Sequence, residues 1–368
     1  MFLGVATLGV SRLDVGALYG AQFNNAGFTL TDSTNAPARY IIPPGFSLAP
    51  GAFLLVWADQ QPEQTRTGAD LHANFKLGQD GEYLALHDAL ESFERGTLLV
   101  NVVDLPIKCP VAPLEFCFLA DWYFTERGIR DQVDIVYATP LDGAFTKPVA
   151  SAKLKALLEE KGVNLVTEFN TGEVDGVGRK LISYDGREVP FDLAVVVPLH
   201  SGAEYVGRSE GLGDDLNFVP VDKGTLQTHA KRNIFAIGDA TNVPASKAGS
   251  VTHFEGEVLC ENIIRFLDGR ELANHFDGHA NCFIETGFGK ALLIDFNYET
   301  EPLPGHFPGK VGMPLLKESR MNHLGKLMFQ WFYWHALLQG RDIPGIGADM
   351  PAEGKDYQVS PAHQEAHT

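Results

Sequence analysis

A cysteine follows an apolar strand within residues 101–115, which read NVVDLPIKCPVAPLE. Dinucleotide-binding units place a glycine-rich turn at this point, so that the backbone can approach a pyrophosphate at a helix N-terminus. Here residues 105–110 read LPIKCP and contain no glycine. We expect Cys109 at the helix N-cap and Pro110 at the first helical position, with the helix dipole and Lys108 favouring the thiolate. The turn therefore predicts sulfur redox chemistry that does not use NAD(P)H.

A second motif, NIFAIGDATNVPASKAG, occupies residues 233–249. We predict an apolar strand ending at Asp239, because ligands of open α/β folds bind at the carboxyl ends of the strands. Asp239 could accept a hydrogen bond from a ribityl hydroxyl of a flavin. The next helix would aim its N–H groups at the pyrimidine side of the ring, where Lys247 would stabilise reduced flavin. A bare Ile-Gly-Asp could also end an ordinary strand, and the longer run favours the flavin. The predicted flavin contacts are Gly238, Asp239, Ser246, Lys247, Ala248 and Gly249.

Three runs give residues 96–351 a resemblance to sulfide:quinone oxidoreductase, a family of the flavin disulfide-reductase superfamily. The runs are VNVVDLPIKCPVAPLEF, PASKAG and HANCFIETGFGKALLIDFNY. The resemblance implies a bound FAD and two redox-active cysteines, which match Cys109 and Cys282. Sulfide would attack a disulfide or persulfide bridge between them, and two electrons would pass by way of the flavin to a membrane quinone.

Other residues that titrate or bind metals have weaker patterns. His200 could relay protons at neutral pH, and the alternative is a hydrogen-bonded structural histidine. His253 and Glu255, in the flavin-side helix, are further candidates. Cys117 and Cys260 are expected to be packing residues. The four cysteines lack paired C-x-x-C spacing, so no metal site is expected.

Alternation of strands and helices from Gly96 onward predicts a doubly wound α/β domain that positions these motifs. The predicted elements are strand 97–103, helix 110–127, strand 133–138, helix 151–162, strand 164–168, a hairpin around 184–187, strand 193–197, strand 233–239 and helix 249–267. The expected fold class is therefore a doubly wound α/β protein of the FAD/NAD(P)-binding type, although an incomplete one.

Residues 1–92 predict a different architecture, a small all-β immunoglobulin-like sandwich ahead of the α/β part. Short strands at 27–32, 39–42, 53–58 and 83–86 alternate with Gly, Pro and Asp turns, which is typical of an antiparallel sandwich. The runs GFTLTDSTNAPARYIIPPGFSLAPGAFLLVWAD and LHANFKLGQDGEYLALHDA, within residues 27–89, resemble a lamin-tail domain. Such a module would bind or space rather than catalyse.

No G-x-G-x-x-G turn occurs in residues 1–95, where flavoproteins of the resembled family carry their pyrophosphate-binding βαβ unit. We therefore expect an incomplete FAD-binding domain whose affinity for FAD is severely weakened. The predicted domains are 1–92, the lamin-tail-like sandwich; 93–220, a dinucleotide-binding-like domain; 221–270, a remnant of the FAD-binding domain; 271–347, a C-terminal domain with an interfacial helix; and 348–368, a disordered tail.

Residues 320–338, RMNHLGKLMFQWFYWHALL, place a wide apolar arc at helical spacing. This pattern favours an interfacial anchor on a membrane surface, and the alternative is a core helix. No run reaches about 18 apolar residues, so no spanning helix is expected. The N-terminus lacks the basic region of a signal peptide. A net charge of −18 excludes a nucleic-acid surface.

The sequence thus predicts an FAD-dependent enzyme that resembles sulfide:quinone oxidoreductase and is impaired by its missing pyrophosphate motif. Sulfide and quinone would be its substrates, and it would lie peripherally on a bacterial cytoplasmic membrane; a homo-oligomer stays open. The first alternative is a non-catalytic membrane-associated protein that binds through the lamin-tail-like module. The second is an NAD(P)H-dependent reductase, which the proline-and-cysteine turn disfavours.

Overall fold

The computed structural model describes the short strands between Arg12 and Ala73, Thr65, and residues 85–273, 275–341 and 346–357. The chain forms two compact units, Met1–Phe93 and Glu94–Thr368. The finer division of residues 93–368 into four parts stays a prediction.

The first unit contains short strands and one helix. They are β1 Arg12–Gly16, β2 Phe23–Asn24, β3 Thr29–Leu30, β4 Tyr40–Ile41, β5 Ser47–Leu48, β6 Phe53–Ala58, β7 Leu71–Ala73 and α1 Ala85–Ser92. β6 pairs antiparallel with β1 but parallel with β7, so this sheet is not the purely antiparallel one expected. The strand predicted at 83–86 is wrong at Ala85 and Leu86, which begin α1, because ALHDALES is rich in helix formers. The lamin-tail-like sandwich stays a prediction, since most of residues 27–84 lie outside the described part.

The second unit contains the remaining elements. They are β8 Gly96–Val102, α2 Ala112–Glu126, β9 Val133–Ala138, α3 Pro148–Glu160, β10 Val163–Val166, β11 Thr171–Asp175, β12 Lys180–Ser183, β13 Glu188–Pro190, β14 Leu193–Val197, α4 Glu204–Gly207, α5 Gly249–Leu267, β15 Ala280–Gly287, β16 Lys290–Phe296, β17 Gly305–Phe307, β18 Met313–Leu315 and α6 Arg320–His335. Short 3₁₀ turns lie at 130–132, 238–240 and 337–339.

A four-stranded parallel sheet in the order β10-β9-β8-β14 forms the centre of the α/β part. β8 is buried from Leu98 to Val102 because it has a neighbour on each side, and its apolar run LLV suits a strand covered on both faces. β14 is only half-buried because it lies at the edge. The antiparallel meander β11-β12-β13 connects β10 to β14. The predicted parallel α/β architecture is confirmed at this level.

The strand predicted at 233–239 is wrong. Phe235 makes one isolated antiparallel bridge with Gln227, and residues 238–240 turn into a 3₁₀ helix. An apolar run becomes a ladder strand only where neighbouring backbones accept its hydrogen bonds. The described residues provide such a neighbour on one side of this run and none on the other.

The hairpin β15-β16 and α6 form the C-terminal layer. β15 pairs antiparallel with β16, so that Cys282 lies opposite Ile294. α6 approaches this hairpin closely at Gly325, where a Cβ atom would lie 2.4 Å from the sulfur of Met313 and 3.2 Å from the ring of Phe283. Glycine at this position lets the helix lie directly against the sheet.

The expectation of disorder from residue 348 is wrong for residues 348–357. The Lys355 ammonium lies 2.5 Å from the Asp295 carboxylate, and both side chains are fully buried. The backbone N–H of Met350 donates to Asp277 at 3.0 Å. A buried carboxylate needs a counter-charge, and Lys355 provides it from an otherwise polar segment. Residues 358–368 lie outside the described part.

Candidate functional site

The cysteine turn between β8 and α2 differs from the expected geometry. Cys109 has φ of 53°, in the left-handed region, and it accepts a hydrogen bond from the N–H of Ala112 at 2.9 Å. α2 begins only at Ala112, with Val111 at the N-cap and a proline, Pro113, in the first turn. The prediction of Cys109 as N-cap is therefore wrong. Pro113 is the second residue of α2, where the missing N–H of a proline costs no helical hydrogen bond. The helix therefore begins next to Pro113 and not at Pro110.

Backbone hydrogen bonds tie this turn to two other predicted segments. The N–H of Cys109 donates to the carbonyl of Lys247 at 2.7 Å, and Lys108 forms a parallel bridge with Lys247. The N–H of Lys108 donates to Nδ1 of His200 at 2.8 Å. Nδ1 therefore acts as an acceptor, so the neutral ring carries its proton on Nε2. Burial, followed by the charge of Lys108, lowers the pKa of His200 and favours this neutral form.

The second cysteine reaches the same place from β15. Cys282 is buried, and the hydroxyl of Ser250 donates to the carbonyl of the preceding residue, Asn281, at 2.7 Å. Ser250 is the second residue of α5, so this helix holds the Cys282 strand beside its N-terminus. A negative charge on Cys109 raises the pKa of Cys282, so the two thiols lie within electrostatic range of each other. Both are free thiols.

The pKa values of the two thiols contradict the expected thiolate. Burial, with the Cys109 charge as the next cause, raises the pKa of Cys282 to about 12. Cys109 lies at an exposed rim, yet the surrounding protein desolvates it, and this and the charge of Glu115 raise its pKa. Lys326 opposes this rise. In the reduced state, both cysteines therefore carry their protons at neutral pH.

A charge pair beside Cys109 was not predicted from the sequence. The Lys326 ammonium lies 2.7 Å from one Glu115 oxygen, and the N–H of Glu285 donates to the other at 3.2 Å. His323 in turn lies 3.0 Å from the Glu285 carboxylate. These contacts join α2, β15 and α6 around the cysteines. Only the position of Glu115 in the first turn after the cysteine turn was visible in the sequence, because its partner is far along the chain.

The N-terminus of α5 presents free hydrogen-bonding groups to the same site. Its N-cap, Ala248, provides no side-chain cap, and among the described residues the N–H groups of Gly249, Ser250 and Val251 have no acceptor. Within the described part of the chain, the buried hydroxyl oxygen of Ser246 also has no hydrogen-bond partner. Uncapped N–H groups with a partial positive charge favour an anionic or electron-rich ligand edge. The polar edge of a flavin ring fits this donor set.

Lys247 and Glu255 are buried behind this helix start. The Lys247 ammonium lies 2.5 Å from the carbonyl oxygen of Thr241 and 4.3 Å from the centre of the Phe218 ring, and burial lowers its pKa. Glu255 is fully buried, with one oxygen 2.5 Å from the nitrogen of Gly238 and the other without a hydrogen-bond partner among the described residues. Burial raises the pKa of Glu255 to about 7.

The structure brings the predicted site residues together. Asp239 is exposed on the 3₁₀ turn, and its charge acts on Cys109, while Gly238 adopts φ of 67°. Cys117 is buried within α2, in agreement with packing, whereas Cys260 is exposed, so its expected packing role is wrong. The residues meeting at the site are Cys109, Cys282, His200, Gly238, Asp239, Ser246, Lys247, Ala248 and Gly249. The described residues contain no group of three His, Cys, Asp or Glu that could hold a metal.

α6 leaves its apolar side chains exposed, which contradicts the core-helix alternative. Only Asn322 is buried within it. The exposed apolar residues of this segment are Met321, Leu324, Leu327, Met328, Phe329, Trp331, Tyr333, Trp334 and Leu338. In the described part of the chain, no helix has the length and hydropathy needed to cross a bilayer.

The second unit has the α/β fold of FAD/NAD(P)-binding proteins, and two cysteines lie in its candidate site. The crystal structure of sulfide:quinone oxidoreductase from Aquifex aeolicus superposes with a TM-score of 0.55 at 18% identity, over 70% of this chain and 61% of that one. A chain of the Tetrahymena thermophila mitochondrial ATP synthase structure gives a TM-score of 0.53 at 21% identity, over 68% of this chain and 60% of that one. These similarities establish the fold.

The sequence relatives are more specific. Mitochondrial sulfide:quinone oxidoreductases of Dictyostelium discoideum and Mus musculus are 30% and 27% identical over 260 and 263 residues. The matches cover 68% of this chain, which spans only 56% of the length of each relative. No protein-family model matches the chain. The chain is thus related to sulfide:quinone oxidoreductases, which are oxidoreductase enzymes, and it corresponds to about half of one.

Proposed function

We propose that the second unit carries the cysteine and quinone side of a flavoenzyme that oxidises sulfide. The observation that supports this most is that both cysteines lie beside the uncapped N-terminus of α5. The N–H of Cys109 donates to Lys247, just before this helix, and Ser250 of the helix donates to Asn281, the residue before Cys282. The two sulfurs come from a loop after β8 and from β15, which are separated by most of the unit. Bringing two thiols together beside a helix N-terminus suits a redox pair better than packing.

The cysteine step is thiol–disulfide chemistry. With the pair oxidised, hydrosulfide attacks one sulfur of the Cys109–Cys282 bridge, the S–S bond breaks, and one cysteine becomes a persulfide. The other sulfur leaves with the bonding electron pair and takes up a proton, because the protein raises the pKa of both thiols. The nucleophile is therefore hydrosulfide and not a cysteine thiolate. Because the pKa values of both thiols are raised, the released cysteine sulfur is protonated in the reduced protein.

Solvent supplies the proton for this step, since Cys109 is exposed, and two polar groups lie beside this cysteine. His200 offers a hydrogen bond from Nε2–H, since its Nδ1 accepts the N–H of Lys108. The Glu115–Lys326 pair places a cation near Cys109 on the side of α6. The role of His200 as a proton relay and that of Lys326 as a charge partner are both proposals that rest on these contacts.

FAD is the proposed cofactor, and it would supply the two-electron acceptor that links sulfide to quinone. The residues that would hold its ring are the N–H groups of Gly249 and Ser250, the hydroxyl of Ser246, and the Gly238–Asp239 turn. The sequence provides no glycine-rich turn for the pyrophosphate. We therefore expect this chain alone to bind FAD weakly, and a yellow protein after gel filtration without added FAD would overturn that expectation.

The membrane is the proposed location of the quinone. The exposed apolar residues of α6 would lie in the interfacial region of a bilayer, with Lys326 directed to Glu115 on the protein side. A hydrophobic quinone would then approach the cysteines along α6. The surface of a bacterial cytoplasmic membrane is the proposed site, because quinones dissolve there.

Sulfide-dependent reduction of a short-chain quinone with saturating FAD tests the proposal. Cys109→Ser and Cys282→Ser should each abolish turnover, because the bridge cannot form without both sulfurs. Cys260→Ser is the matched control, since Cys260 is exposed on α5 and outside the site. Unchanged turnover in both site variants would refute the assigned roles.

A further inference from the structure

A polar segment near the C-terminus is fastened beside the strand that carries the second cysteine. We name residues 346–357 the C-terminal strap. The backbone N–H of Ala348 donates to Glu257 of α5 at 3.2 Å. The carbonyl oxygen of Gly347 lies 2.8 Å from Nδ1 of His279, the residue that precedes β15. The strap therefore contacts both elements that hold the second cysteine in place.

Both ring nitrogens of His279 face hydrogen-bond acceptors. Nδ1 faces the Gly347 carbonyl, and Nε2 lies 2.9 Å from Oδ1 of Asp295. Asp295 is ionised, because the Lys355 ammonium lies 2.5 Å from its other oxygen. Carbonyl and carboxylate oxygens cannot donate, so both ring nitrogens must carry a proton. The Phe254 ring stacks in parallel on His279, with centroids 4.2 Å apart, and an aromatic face favours a cation. His279 is therefore an imidazolium, although it is fully buried.

The charges around His279 balance. Among the described residues, Asp295 faces it from β16, Lys355 approaches from the strap, and the Asp277 carboxylate accepts its backbone N–H at 2.8 Å. α5 and β17 pack aromatic rings against it. We name His279, Asp277, Asp295 and Lys355 the charge cluster, which contains two cations and two carboxylates. A buried ion cluster adds little net stability compared with apolar side chains of the same volume, whereas its directional contacts fix geometry.

The charge cluster reaches Cys282 through the residue before it. Asn281 pairs with Asp295 across the β15–β16 hairpin, and its amide donates to Oδ1 of Asp295 at 3.0 Å. The carbonyl of Asn281 accepts the hydroxyl of Ser250, the second residue of α5, at 2.7 Å. Cys282 is the next residue of the strand. The contacts that align Cys282 with the start of α5 therefore end on Asp295.

We propose that His279, as an imidazolium held between the strap and Asp295, is a positioning residue of the cysteine pair. With Asp295 and Lys355 it fixes the strand of Cys282 against α5, and so determines how readily the sulfurs of Cys109 and Cys282 join. The inference rests on the proposed function for the bridge, whereas the protonation of His279 and the role of the strap go beyond it.

The ring nitrogens of His279 provide the first test. A ¹⁵N–¹H correlation spectrum of the histidine rings at about pH 7.5 distinguishes protonated from bare nitrogens, and an exposed imidazole is largely neutral at this pH. Nuclear Overhauser contacts with the Phe254 ring assign the signals, so this test needs no variant. We expect both nitrogens of His279 to be protonated, and a bare nitrogen would overturn the proposal.

The bridge equilibrium provides the second test. In a Cys260→Ser background, the thiols of Cys109 and Cys282 are oxidised to a bridge while oxidised glutathione is reduced to two molecules of glutathione. Mass spectrometry of the quenched mixture measures the equilibrium constant. His279→Gln and Lys355→Met should each lower this constant about tenfold or more, because the joining of two groups depends steeply on their placement. Lys355→Arg keeps the counter-charge and should retain the constant.

Two measurements separate positioning from a role in folding alone. Urea unfolding of the reduced variants measures stability, and circular dichroism checks that each variant is folded under the conditions of the bridge equilibrium. His306→Gln is the matched control, because His306 is exposed in β17 and lies beside the strap, and it should leave the bridge constant unchanged. A lower free energy of unfolding with an unchanged bridge constant would show that the charge cluster only stabilises the fold, and would overturn the proposal.

The positioning role and the proposed function fail separately. An equal bridge constant in His279→Gln, Lys355→Met and the unchanged chain contradicts the positioning role and leaves the function standing. A shifted constant without sulfide oxidation contradicts the function and supports the positioning role. No bridge in the unchanged chain contradicts both. If one of the two variants does not fold, the other variant and the ring spectrum decide.

Discussion

Replacing Glu255 by glutamine should change how stability depends on pH. Glu255 is fully buried in α5, and burial raises its pKa from an ordinary 4.5 to about 7, with the N–H of Gly238 and the charge of Lys247 opposing the rise. Asp239 adds to the rise. Glutamine has the same shape and keeps an oxygen for the N–H of Gly238, but it cannot ionise.

The sign of this pH dependence follows from the pH at which each state releases the Glu255 proton. The unfolded chain releases the Glu255 proton near pH 4.5, whereas the folded chain keeps it until about pH 7. The stabilisation is therefore fully present below the unfolded pKa and is lost as the pH rises through the folded one. The difference between 4.5 and about 7 corresponds to a loss of about 3 kcal/mol in the free energy of unfolding.

Urea unfolding followed by circular dichroism measures this loss. Between about pH 5 and about pH 8, the stability of Glu255→Gln relative to the unchanged chain should rise by about 2.5 kcal/mol. Glu126→Gln is the matched control, because Glu126 is exposed on α2, and its relative stability should stay constant within a few tenths of a kcal/mol. If the curves of Glu255→Gln and the unchanged chain stay parallel over this range, the reasoning about the buried carboxyl is refuted.

Three further predictions concern the thiols, the tail and α6. Iodoacetamide should alkylate Cys109 slowly at neutral pH and faster as the pH rises above 9, because the pKa of the Cys109 thiol is raised. Fast labelling at pH 7 would show a thiolate and contradict this prediction. Lys355→Met should lower the free energy of unfolding by up to about 3–5 kcal/mol, because it removes the lysine counter-charge of the buried Asp295 carboxylate and leaves only the contacts with His279 and Asn281. Lys355→Met combined with Asp295→Asn should recover much of this loss. Trp331→Asp, which removes a 59% exposed ring from α6, should weaken binding to anionic lipid vesicles about tenfold or more, whereas an aspartate at exposed Val311 should not.

The sequence was informative where a local pattern determines the structure. The helix at 249–267 has the predicted ends, because PASKAG cannot continue a strand and the apolar positions after it repeat at helical spacing. The strands 133–138 and 193–197 also agree, since buried parallel strands read as apolar runs. The expectation that the cysteine turn and the residues around Lys247 belong to one site came from the family resemblance. The spacing of these residues in the sequence did not predict it.

Long-range partners explain what the sequence could not predict. The run 233–237 has strand composition, but a strand also needs neighbours, and the described residues provide one on a single side. The tail segment 348–357 reads as polar, yet Lys355 is fixed by a buried carboxylate sixty residues earlier in the chain. The expected direction of the Cys109 pKa shift was wrong because desolvation and the charge of Glu115 outweigh the N–H of Ala112 and the charge of Lys326. Desolvation depends on the packing around the thiol, which the local sequence does not show.

The central claim is that the sulfurs of Cys109 and Cys282 can join. The most direct measurement is to oxidise the purified chain with diamide in a Cys260→Ser background, block the remaining thiols, and identify linked peptides by mass spectrometry. We predict one bridge between the peptides of Cys109 and Cys282, which sulfide opens with addition of one sulfur atom. Separate alkylation of both cysteines after oxidation, with no linked peptide, would contradict it.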